Sequence, residues 1–161
     1  NFNADENLYT GKLPYNWGLG DPWTAGVSVS VVNTSMLEQL AKSSSEIIPK
    51  YIKGRQAIAT SGITRYDCRS SKYYYDFDGL IRSLGSETSE YEAWKAAYDA
   101  AVVYWKTTPN NYSSYGGSFS MNGSAGLSTY NFVSRIEEEI NPFYRQSIQW
   151  YSAAGWDETG W

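Results

Sequence analysis

The sequence predicts a layered α/β fold in which short strands are covered by capped helices. Three observations carry that expectation. Val27, Val29 and Val31 alternate with Ser28 and Ser30, which reads as a strand with one apolar face and one mostly small polar face. Leu37, Leu40, Ala41, Ser44, Ile47, Ile48 and Tyr51 follow directly at helical spacing. A second helical stripe, Tyr91, Trp94, Ala97, Tyr98 and Ala101, runs straight into the β-branched and aromatic run Val102–Trp105.

The elements follow in order. Residues 1–24 read as an irregular extended segment, punctuated by Gly11, Pro14, Gly18, Gly20 and Pro22, that packs on the rest of the chain or on a partner chain. Residues 25–161 read as a single α/β region, because 161 residues suffice for one core of ordinary size and not for two. Asn33-Thr34 breaks the first strand, and Ser35 with Glu38 forms a capping box for the first helix. Pro49 is expected to end or bend that helix. Ile63–Tyr75 is polar and aromatic and reads as a loop. Asp76 caps a short helix carrying Phe77, Leu80, Ile81 and Leu84, and Gly85 ends it. Ser89 with Glu92 is a second capping box, and a strand is expected over Ala101–Trp105. Pro109–Tyr115 reads as a polar loop, Gly116–Ser120 as a strand edge and Leu127–Phe132 as a short strand. Asn141 caps a closing helix with Pro142 at its first position and with Phe143, Tyr144, Ile148 and Tyr151 on its face; Gly155 terminates it.

Composition excludes several classes of function. The net charge is −4 with no basic run, an unfavourable surface for nucleic acid. No apolar run reaches the roughly 18 residues of a membrane span. Cys68 is the sole cysteine, so no disulfide forms within the chain. There is no histidine, which removes any Ser-His or Cys-His pair and any imidazole metal site supplied by this chain alone. The chain begins Asn1-Phe2-Asn3-Ala4, without Met or signal peptide, and reads as a cut or mature end. Its 15 Tyr and 7 Trp suit half-wet cores, interfaces and sugar-binding grooves alike.

Few residues offer chemistry. Cys68 lies near Arg65 and Arg69, which favour a thiolate, but Asp67 opposes them and no base is present; the simpler reading is a small apolar residue. Asp76 and Asp78, or Glu137–Glu139, are carboxylate pairs, but their spacing does not specify the opposed acids of glycoside hydrolysis. Asp76 is more simply a cap and the glutamates a solvated face. Either group offers oxygens to calcium without matching a full ligand loop, and no other cofactor is indicated. Gly18-Leu19-Gly20 follows no strand and is no phosphate loop. Asn33, Asn111 and Asn122 each open a glycosylation acceptor pattern.

Several stretches taken in order resemble the C-terminal part of the clostripain family of cysteine peptidases. Val27-Ser28-Val29-Ser30-Val31-Val32-Asn33-Thr34-Ser35-Met36-Leu37 resembles the family's strand leading into a helix. Tyr74-Tyr75-Asp76-Phe77-Asp78-Gly79-Leu80 resembles its tyrosine-aspartate-leucine segment, and Ala100-Ala101-Val102-Val103-Tyr104 and Gly126-Leu127-Ser128-Thr129-Tyr130 resemble two of its strands. Tyr144 through Tyr151 to Gly155-Trp156 is similar to its closing helix. Asn131-Phe132 departs from the family's aromatic-proline pair, at a turn.

The resemblance implies a caspase-like α/β fold and a secreted or cell-surface bacterial endopeptidase that cleaves after Arg or Lys. It implies a His-Cys dyad on the preceding polypeptide of the same precursor, released by autoprocessing after a basic residue, so that this chain is inactive when isolated. Cys68 falls too late in the pattern to be the dyad cysteine. The acid that receives the basic side chain is open among Asp67, Asp76 and Asp78. Two other readings stand beside this one: a secreted, aromatic-rich carbohydrate-binding or adhesion module, and a scaffold domain that holds a larger assembly.

Overall fold

The computed structural model describes residues 28–66, 74–113, 117–130 and 142–160. Strand β1 (Ser28–Val32) leads through a 3₁₀ turn into helix α1 (Leu37–Ile52). Strand β2 (Tyr74–Asp76) runs directly into α2 (Phe77–Ser83), and α3 (Thr88–Ala101) into β3 (Val102–Thr107). Strands β4 (Asn110–Ser113), β5 (Gly117–Ser120) and β6 (Ser128–Tyr130) follow, then α4 (Pro142–Ser147) and α5 (Gln149–Ala153).

The strands pair antiparallel as β1 with β3, β2 with β6 and β4 with β5. In the first ribbon Ser28 faces Thr107, Ser30 faces Trp105 and Val31 faces Tyr104, with an irregularity before Val32. The Asn33 amide donates to the Ala101 carbonyl at 2.8 Å, which locks the end of β1 to the junction of α3 and β3.

The core lies between the helices. Leu40, Ile47, Ile48 and Ile52 of α1 meet Phe77, Leu80 and Ile81 of α2 and Trp94, Ala97, Tyr98 and Ala101 of α3. Phe77 stands edge-on to Trp94 at 5.0 Å and to Trp150 at 5.6 Å, close to the preferred geometry of aromatic pairs. Trp94 closes the polar end of its ring by donating its indole N–H to Ser44 Oγ at 3.0 Å, and Ser44 in turn donates to the Leu40 carbonyl at 2.7 Å. Trp156 is fully buried at the C-terminal end. Many of the aromatics that distinguish the composition are therefore core residues.

The mixed strand-helix layering follows the sequence pattern, and the differences have local causes. Ser35 does not cap α1: the Asn33 side chain accepts from both the Ser35 amide (3.2 Å) and hydroxyl (2.8 Å) and caps the 3₁₀ turn instead. Pro49 does not end α1 at once: the helix runs on for less than a turn to Ile52, and the Lys53 amide donates to the Pro49 carbonyl. The second capping box is also absent: α3 begins at Thr88, with Ser89 already inside it and the Glu87 carbonyl accepting the first bonds. Tyr74 and Tyr75 are strand, drawn out of the expected loop by pairing with Tyr130 and Thr129. Asn110–Ser113 is likewise strand, paired with Gly117–Ser120. The strand after α3 spans Val102–Thr107, not Ala101–Trp105. The closing helix is two short helices, broken at Ile148 by an extended ψ of 108°. Gly85 and Gly155 take positive φ just past their helices, as their positions require.

Candidate functional site

Asp76 closes β2 and opens α2, so its side chain is held at an element junction with no solvent exposure. Its Oδ1 accepts from the Gly79 amide at 2.9 Å, the expected helix cap. Its Oδ2 accepts from the Ala125 amide at 2.7 Å and from the Tyr66 hydroxyl at 3.2 Å. Burial raises its pKa above the ordinary aspartate value, against the opposing pull of those two amides.

Around this carboxylate the segment Ser124–Leu127 is held almost group by group. Tyr66 Oη lies 2.7 Å from Ser124 Oγ and accepts from the Gly126 amide at 3.2 Å. Tyr98 donates to the Ala125 carbonyl at 2.9 Å and accepts from the Leu127 amide at 3.1 Å. The Leu127 carbonyl accepts from the Phe77 amide at 2.9 Å. Desolvation pushes the Tyr66 phenol up to about 12 and the Tyr98 phenol higher still.

The held segment forms one wall of a cleft of about 210 Å³ whose other wall is the β1–β3 ribbon. Ser28, Ser30, Trp105 and Thr107 line it from the ribbon, and Tyr66, Ser124 and Ser128 from the opposite side. A further recess of about 410 Å³ shares Trp105, Lys106 and Thr107 and continues to Pro109, Met121 and Asn122. Ser28 Oγ and Thr107 Oγ1 bond across the ribbon at 2.8 Å.

Asp78 is engaged elsewhere. Its Oδ1 accepts from the Tyr91 hydroxyl at 2.6 Å and its Oδ2 pairs with Arg82 at 2.8 Å. Arg82 Nε also donates to Tyr91 Oη at 2.8 Å, which closes a three-membered network between α2 and α3. Burial, then the bond to Asp78, pushes the Tyr91 phenol up to about 12.

Of the residues singled out from sequence, the structure thus separates Asp76 from Asp78, each tied to its own partners. Asp67, Cys68, Glu137–Glu139 and the segment 1–24 lie outside the described residues. Asn33 uses its side chain as a cap, Asn111 lies half-buried in β4 and Asn122 is exposed at a turn. Among the described residues no three Asp, Glu, Cys or His side chains converge as a metal site. No helix among them is long and apolar enough to cross a membrane. The roles of Tyr66, Tyr98 and Gly126 had no local signal in the sequence, since their partners lie 10 to 60 residues away.

No protein-family model matches the chain, and no curated protein matches it. Solved structures do. A cysteine protease of B. fragilis shares 43% identity over 91% of this chain, with a TM-score of 0.79. A secreted C11 cysteine protease of Bacteroides thetaiotaomicron, solved with an irreversible peptide inhibitor, shares 35% over 87% of the chain, with a TM-score of 0.71. An inactive zymogen C11 protease of Parabacteroides distasonis shares 26% over 80%, with a TM-score of 0.67. The chain spans 61%, 39% and 38% of those three chains. The mixed α/β layering is therefore that of a caspase-like cysteine-protease fold. The chain is homologous to the C11, clostripain-type, cysteine proteases over most of its length.

Proposed function

We propose that this chain is the C-terminal chain of a secreted, clostripain-like cysteine endopeptidase that cleaves after Arg or Lys. The observation that carries the reading is the 43% identity to the B. fragilis cysteine protease, joined to the absence of histidine from all 161 residues. A homologue without a possible dyad base is completed by another polypeptide, here the preceding part of the same precursor, separated by cleavage at a basic residue. There the cysteine thiolate attacks the scissile carbonyl, imidazole carries the proton to the leaving amine, and an acidic pocket receives the basic side chain. The described part of this chain supplies packed helices and a cleft wall, and no catalytic residue. Both oxygens of Asp76 and of Asp78 accept bonds within the fold, so of the three acids considered Asp67 remains for the pocket, beside any acid of the preceding polypeptide.

The test compares the complete protein with this chain alone on arginyl and lysyl fluorogenic peptides. The expected result is hydrolysis by the complete protein and none by the isolated chain. Hydrolysis by the isolated chain, or none by either, overturns the reading.

A further inference from the structure

Beside β6 the helical core presents an apolar groove of about 230 Å³, walled by Leu37, Phe77, Leu127, Ile148 and Trp150. Leu37, Leu127 and Trp150 are only partly buried against the core, and Ile148 keeps 46% of its surface exposed. Phe77 and Trp150 stand edge-on at 5.6 Å and set the shape of the aromatic wall. Ser128 and Thr129 bring hydroxyl oxygens to the same groove, and its described lining carries no charged side chain. The occupant it fits is an uncharged, aromatic side chain with one polar atom to place, which describes tryptophan.

The chain itself holds such a residue within reach. The described backbone begins at Ser28, which faces Leu127 and Ser128 across a shared cleft, and those same two residues line the groove. Trp23 stands five residues before Ser28, a span of up to about 17 Å when extended. Pro22 through Val27 carry no charge, which matches the groove. Residues 1–27 also include Leu8, Leu13, Tyr15 and Trp17, and a stretch this short does not sustain a core of its own, since independent folding is rare below about 40 residues. Residues 131–141, which join Tyr130 to Pro142, suit the groove less well, because they carry Arg135 and Glu137–Glu139.

We infer that Trp23 docks in this groove and straps the segment preceding β1 onto the helical core. The groove then holds the chain's own residues and not a substrate, so the inference stands apart from the peptidase reading. Docking fixes the point from which β1 enters the β1–β3 ribbon. A two-stranded ribbon is marginal by itself, and an anchored entry supports its pairing with β3.

The experiment uses the complete protein with the photo-crosslinker p-benzoyl-phenylalanine at position 148, an exposed site on the groove, followed by peptide mapping. The expected result is a crosslink within the same chain to the peptide that contains Trp23. The reciprocal probe at position 23 should reach Leu37, Leu127 or Ile148, and it carries the test if the first variant fails to fold. Hydrogen exchange adds an independent readout: Trp23→Ala should speed the amides of Ile148–Trp150 about tenfold, while Trp23→Phe stays near wild type. A crosslink from position 148 to residues 131–141, to the preceding polypeptide or to a second copy of this chain assigns the groove to that occupant and overturns the inference. Absence of a crosslink from both probes, or unchanged exchange in Trp23→Ala, overturns it as well.

Discussion

Replacing Asp76 by alanine removes the acceptor for three donors at once: the Gly79 amide, the Ala125 amide and the Tyr66 hydroxyl. Loss of a helix cap costs about 1 kcal/mol. Each buried donor left without a partner costs about 1–3 kcal/mol. Relief of the carboxylate's own desolvation, which raises its pKa, offsets part of this. The net expectation is a loss of about 2–4 kcal/mol, or roughly 1–2 M in urea midpoint at an m-value near 2 kcal/mol/M. Asp76→Asn keeps one acceptor oxygen and should lose about half as much. Urea unfolding followed by tryptophan fluorescence reads both variants. The pH dependence adds a sign. A carboxylate whose folded pKa is raised contributes stability that is complete below the ordinary aspartate value and lost as pH rises through the folded value. The advantage of wild type over Asp76→Asn should therefore shrink as pH rises through that window. A loss below about 1 kcal/mol for Asp76→Ala, or an advantage that grows with pH, refutes the reasoning.

Further expectations are independent of this one. Trp94→Ala should cost about 3–5 kcal/mol, because it empties the centre of the aromatic cluster and leaves Ser44 without its indole donor; calorimetry checks it. Gly126→Ala should cost roughly 2 kcal/mol or more from positive φ and the collision with Trp105, read by thermal unfolding. The phenols of Tyr66 and Tyr91 should ionise only near pH 12, detectable by ultraviolet titration. Their stabilising effect is present below the ordinary tyrosine value of about 10 and lost as pH rises through about 12.

The order of strands and helices was legible because much of it rests on local periodicity. The α1 stripe Leu40, Ala41, Ser44, Ile47 and Ile48 is buried as its spacing demands, and Asp76 caps α2 as its position demands. What failed was chemistry with two local solutions. Asn33 and Ser35 both satisfy a helix start, and the better acceptor won by also taking the serine's hydroxyl proton. Strand β4 was hidden because Asn110–Ser113 is polar, and β2 because Tyr74 and Tyr75 close a polar, charged stretch; both owe their strand character to partners at Tyr130 and Ser120. The candidate site was legible only at Asp76. The rest of its wall joins Tyr66, Tyr98 and Gly126 over long sequence separations, and such contacts leave no periodic trace.

The most direct measurement is covalent labelling of the complete protein by an arginyl chloromethyl ketone, followed by intact mass under denaturing conditions. A native mass of the same sample reports which polypeptides travel together. The expected result is a polypeptide containing this sequence unlabelled, carried with a second polypeptide that bears the inhibitor on its cysteine. Label on Cys68, or a labelled protease that does not include this chain, contradicts the assignment.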